Sequence, residues 1–74
     1  MSMDVLYELR FPDGRCWTTT PIYAQAVEAA KLKAKQDRTP VEVIKYNLRT
    51  GQIRRNIYHP DGTVEKCWQG GFKR

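Results

Sequence analysis

His59, Cys16, Cys67, Asp13, Asp61 and Ser2 are the side chains whose chemistry invites a functional reading, and their spacing supports neither catalysis nor metal binding. His59 is the sole histidine and stands directly before Pro60, with no cysteine or carboxylate beside it at ligand spacing. Two cysteines and one histidine cannot complete a four-ligand structural zinc site without a partner chain or a carboxylate. Asp13 and Asp61 each occupy the middle of a Pro-Asp-Gly tripeptide, where a carboxylate bonds back to the backbone and shapes a turn. Ser2 is the only serine, a glycine-rich phosphate loop is missing, and neither cysteine has a neighbouring base. The expectation is a protein without catalytic residues, metal, cofactor or small-molecule substrate.

Charge and aromatic residues carry more information. Eleven of the thirteen Lys and Arg residues lie at or after Lys31. Residues 1–30 hold two basic and four acidic side chains, against eleven and four in residues 31–74, so a slightly acidic first part precedes a basic remainder. A positive half-molecule attracts phosphates or acidic proteins through its long-range field, whatever its fold. Hydrophobic residues form 41% of the chain, too many for a disordered tail, and 74 residues give room for one small core. One domain over residues 1–74 is expected, with Gly70-Gly71-Phe72-Lys73-Arg74 a frayed tail. No run approaches the ~20 apolar residues that span a bilayer, and a pair of cysteines 51 positions apart suits a reducing compartment, so the expectation is a cytoplasmic protein without a membrane partner.

The elements that must position these charges follow from periodicity and turn chemistry. Met3, Val5, Tyr7, Leu9 and Phe11 alternate with Asp4, Glu8 and Arg10 as a half-buried strand. Pro12-Asp13-Gly14 then turns the chain into a hairpin that places Leu9 opposite Trp17 and Tyr7 opposite Thr19. Thr20-Pro21 reads as an N-cap and first helical position for a helix to about Asp37, with Tyr23, Ala26, Val27, Ala30 and Ala34 on one stripe. Arg38-Thr39-Pro40 stops it. Three strands follow, from Val41 to Leu48, Gln52 to Tyr58 and Thr63 to Trp68. The fold class is α+β: a two-layer ββαβββ arrangement with one helix packed on a mostly antiparallel sheet of about five strands.

Turn geometry sorts the C-terminal meander into two faces. A two-residue Thr50-Gly51 turn pairs Leu48 with Ile53, Tyr46 with Arg55 and Ile44 with Ile57, a mainly apolar set that would lie under the helix with Cys67. The Pro60-Asp61-Gly62 turn pairs Tyr58 with Val64, Asn56 with Lys66 and Arg54 with Trp68 on the other side, joined by Val41, Val43 and Lys45. That second face would then meet water while carrying Tyr58 and Trp68 framed by Lys45, Arg54 and Lys66. Aromatics interleaved with Lys and Arg stack bases and neutralise phosphates, and on this ground Lys45, Arg54, Arg55, Tyr58, Lys66 and Trp68, with Lys31 and Lys35 in support, are the candidate binding residues. The partner would be nucleic acid or an acidic nucleoprotein surface. The competing account is a homodimer or other protein interface on the same sheet face, or a plain cross-strand ladder with the helix lysines as a solvated surface.

The helix around Gln25-Ala26 and Ala30, the strand after it, and a final hairpin with Asp61-Gly62, Lys66 and Trp68 resemble small phage-encoded inhibitors of type I CRISPR surveillance complexes. The likeness is one of element order and charge and spans the last two-thirds of the chain. It implies a non-catalytic basic protein that acts by occupying the nucleic-acid path of a ribonucleoprotein.

Overall fold

The computed structural model describes residues 4–69. Its elements run β1 (Val5–Arg10), β2 (Cys16–Thr20), α1 (Tyr23–Asp37), β3 (Val41–Asn47), β4 (Ile53–Tyr58) and β5 (Val64–Gln69). The strands form one antiparallel sheet in the order β2-β1-β3-β4-β5, with α1 against one face, so the expected ββαβββ two-layer architecture is what the chain adopts. Met3 and the 70–74 tail lie outside the described residues.

The two Pro-Asp-Gly loops are built alike. Phe11 N–H donates to Arg15 and His59 N–H to Thr63, while Asp13 and Asp61 accept from the backbone N–H of Arg15 and Thr63. Gly14 and Gly62 sit at φ +94° and +96°, the left-handed region that a Cβ disfavours. The first hairpin nevertheless departs from the expected register. Arg10 faces Cys16, but a bulge at Trp17 leaves Leu9 opposite Thr18 and Tyr7 opposite Thr20. Trp17 still lies on the helix side, as expected, at the rim of the core; it stacks on Phe11 at 6.2 Å, with the Lys33 ammonium 5.4 Å above it.

Helix α1 begins later than the Thr20-Pro21 signal suggests. Ile22 is the extended N-cap residue, and the Thr20 hydroxyl accepts from its N–H two residues ahead of the first helical turn. Its end falls where expected, at Asp37; Arg38 takes a left-handed conformation and Thr39 N–H donates to the Ala34 carbonyl. Ala26, Ala30 and Ala34 are fully buried, so the helix backbone lies close on the sheet.

That contact is on the face opposite to the one expected. The core comprises Tyr7, Leu9, Val41, Val43 and Tyr58 beneath the three alanines. Pairing of Leu9 with Val43 and of Val41 with Tyr58 puts all of these on one side. The face that sequence reasoning left in water is therefore the covered one, and Ile44, Ile53, Ile57, Arg55 and Cys67 belong to the open face. The β3–β4 connection is also longer than two residues. Asn47 caps it by accepting from Arg49 and Thr50 N–H, and Tyr46 pairs with Ile53, a two-residue shift that leaves each side chain on its expected side. The β4–β5 register agrees with the expectation at Tyr58–Val64, Asn56–Lys66 and Arg54–Trp68.

One helix cannot cover five strands. Outer strands of such a sheet stand ~19 Å apart at ~4.8 Å per gap, whereas a helix is about 10–12 Å wide. Helix α1 lies on β1 and β3, reaches β2 and β4, and makes no contact with β5 among the described residues. A trough remains between the helix and the β4–β5 hairpin.

Candidate nucleic-acid interface

Two clefts lie along the trough. One, of about 610 Å3, is lined by Tyr7, Tyr23, Lys45, Arg54, Asn56 and Lys66 among others. The second, of about 710 Å3, lies toward the β4–β5 turn, between Ala29, Leu32 and Lys35 of the helix and Tyr58, His59 and Pro60 of the sheet.

Three of the expected binding residues converge in the first cleft. Lys45 stands directly opposite Arg54 across β3–β4, and Lys66 stands opposite Asn56, one pair along β4–β5. Alternation along each strand puts all three on the helix side. Like charges directly opposite each other in a sheet are destabilising, by ~0.2–1 kcal/mol on the scale of cross-strand pairs. Neither Lys45 nor Arg54 has a carboxylate partner among the described residues to relieve that cost.

The ion pairs elsewhere make the contrast plain. Arg10 pairs with Glu8, Arg15 with Asp13, Lys33 with Asp37, Arg49 with Asp4 and Arg55 with Glu42. Lys31 and Lys35, which border the second cleft, resemble Lys45, Arg54 and Lys66 in having no such partner among the described residues. Five acidic side chains, Asp4, Glu8, Asp13, Asp37 and Glu42, thus pair with cations other than these five. Arg38 is likewise unpaired there but lies at the helix end, away from both clefts.

Two expected contributors border the clefts, Tyr58 the second and Arg55 the first, but in other roles than expected. Tyr58 is 5% exposed beneath the helix, because the face it occupies is the covered one, and so it forms floor instead of a stacking platform. Burial pushes its phenol pKa up, as do the nearby Tyr23 charge and hydroxyl. Arg55 directs its guanidinium to Glu42 on the open face, on the far side of the sheet from Lys45 and Arg54. The Trp68 backbone pairs with Arg54, and its side chain lies outside the described residues.

Tyr7 and Tyr23 are the members sequence reasoning missed as site residues. Their rings meet at 5.5 Å, tilted by 54°, and burial followed by the Tyr23 charge raises the Tyr7 pKa. Tyr23 is 56% exposed at the first turn of α1, so a ring face is available at the mouth of the cleft. Its stripe position suggested core; the signal to the contrary was its place at the very start of the helix.

The open face is a different surface. Glu8 accepts from the Tyr46 hydroxyl at 2.7 Å and lies 3.0 Å from Arg10 Nε. Burial alone would raise the Glu8 pKa, but hydrogen bonds from Tyr46, Arg10 and Cys16 together outweigh it and hold the carboxyl below its ordinary value. With Glu42–Arg55 beside it, this face is close to electrically neutral. Cys16 and Cys67 are free thiols on β2 and β5, opposite edges of the sheet and ~19 Å apart, well beyond the ~7 Å reach of a disulfide.

Among the described residues no group of His, Cys, Asp or Glu is arranged to hold a metal ion, and no helix is long and apolar enough to cross a membrane. No family model, no curated protein and no solved structure matches this chain.

Proposed function

We propose that this protein is a non-catalytic module that binds single-stranded nucleic acid in the trough between α1 and the β4–β5 hairpin and acts there by occupancy. The observation that carries the reading is the Lys45–Arg54 pair: two cations directly opposite each other with no carboxylate partner among the described residues, a cost to folding that an anionic ligand would offset. Lys66, Lys31 and Lys35 extend the cationic lining along the trough. Tyr23 favours nucleic acid over an acidic protein surface, because an exposed ring next to cations stacks on a base. A narrow trough in a protein this small suits a single strand better than a duplex, whose grooves are read by a projecting helix or ribbon. The resemblance to CRISPR-complex inhibitors points to the same mode, occupation of a nucleic-acid path without chemistry. Location in the cytoplasm, where both thiols stay reduced, belongs to this proposal.

The homodimer alternative called on an exposed sheet face with Tyr58 and Val43. Both are under the helix. The experiment is fluorescence anisotropy of a labelled mixed-sequence oligonucleotide at low salt, with the native protein and with Arg54→Glu/Lys66→Glu. Saturable binding by the first and its loss in the second support the reading. Equal binding by both, or none by either, overturns it.

A further inference from the structure

Resting on that reading, we infer that the second cleft is a base pocket: the bound strand inserts one nucleobase between Leu32 and the Pro60 turn, with the adjoining phosphate held by Lys31 and Lys35. The second cleft combines two kinds of lining: Ala29, Leu32, Pro60 and the Tyr58 ring give it apolar walls, and Lys31 and Lys35 border them. Leu32 is 64% exposed, an aliphatic side chain in water directly beside the cleft. Lys31 and Lys35 lie one helical turn apart and flank it, so an apolar contact and a paired cationic contact sit side by side, as one nucleotide needs.

One feature sets the orientation. Glu28 borders the same cleft one turn before Lys31 and would repel a phosphate there, so the phosphate lies toward the Lys35 end. The separation is compatible with one continuous strand: Thr63, at the second cleft just before β5, and Lys66, at the first, are three residues apart, or ~10 Å.

The test compares a short oligonucleotide with versions of it carrying an abasic site at each position in turn, against the native protein and Leu32→Asp. Leu32 is exposed, so its replacement leaves the fold intact, and circular dichroism checks this. One abasic position should weaken binding to the native protein by roughly 5- to 100-fold, the value of one stacked base. In Leu32→Asp the intact strand should already bind that much more weakly, with the abasic site adding little. The inference is overturned when every abasic strand binds the native protein as tightly as the intact one while Arg54→Glu/Lys66→Glu still weakens binding, an outcome that leaves the trough reading standing. Absence of binding by all strands overturns both.

Discussion

Replacing Tyr58 by alanine should remove a large part of the stability of this fold, and the size of that loss tests which sheet face the helix covers. The side chain is 5% exposed and packs among Val41, Ala26, Ala30 and Ala34. An aromatic side chain buries ~150–250 Å2, an upper estimate of ~4–6 kcal/mol at 25 cal/mol per Å2, and large-to-small aromatic substitutions in cores cost ~3–5 kcal/mol. A chain of 74 residues has ~4–11 kcal/mol of stability in total. Urea unfolding followed by tryptophan fluorescence, with a slope near the ~1 kcal/mol/M expected of a small domain, should show the midpoint falling by roughly 3–5 M. Ile57 supplies the comparison, since it is the neighbouring residue on the open face and only half-buried; Ile57→Ala should cost ~1 kcal/mol, near the centre of the distribution for point substitutions. The reverse order, with Ile57→Ala the more severe and Tyr58→Ala under ~1 kcal/mol, would refute the placement of the helix and with it the trough.

Further substitutions test other parts of the account. Arg54→Glu sets a carboxylate opposite Lys45 and should raise stability by ~0.2–1 kcal/mol in urea unfolding even as it weakens oligonucleotide binding, a combination that misfolding cannot produce. Arg38→Gly should stabilise by ~0.5–1 kcal/mol, because Arg38 holds φ +53° at the helix end, where glycine has no Cβ penalty. The Cys16 thiol pKa is raised by its hydrogen bond to Glu8 and by burial, so at pH 8 iodoacetamide should alkylate it more slowly in the folded protein than in denaturant, and Glu8→Gln should narrow the difference. The Glu8 carboxyl is held below its ordinary pKa, so its contribution to stability is complete above the unfolded-state value and is lost as pH falls through the lower folded value. The stability gap between native protein and Glu8→Gln should therefore shrink on acidification from pH 6 toward pH 3; a gap constant with pH would contradict the Glu8 network.

Much of this arrangement was legible in the sequence, and the part that was not has one physical origin. Side-chain alternation and the two Pro-Asp-Gly turns establish which residues share a face: Lys45, Arg54 and Lys66 on one side, Ile44, Arg55 and Ile57 on the other. Both assignments survive even the longer β3–β4 connection, because its shift of two residues preserves parity. Which face the helix takes depends on β1 pairing with β3 across the intervening helix, and no turn encodes that register. Once Leu9 faces Val43, the apolar side of β1 and the Val41–Tyr58 side of the meander become one surface, and the helix must cover it. Composition gave no warning, since three isoleucines on the open side look as suited to a core as two valines and a tyrosine. The candidate charges kept their company but changed their setting, from a flat exposed face to the wall of a trough. Tyr23, read as core, turned out to stand at its mouth.

The central claim is that cations left unpaired along the trough hold a nucleic-acid backbone. Its most direct test is the salt dependence of oligonucleotide affinity for the native protein. With three to five of Lys31, Lys35, Lys45, Arg54 and Lys66 engaged, the logarithm of the association constant should fall linearly with the logarithm of salt concentration, with a slope of about −2 to −3.5. A slope near zero, or no binding at low salt, would contradict the account.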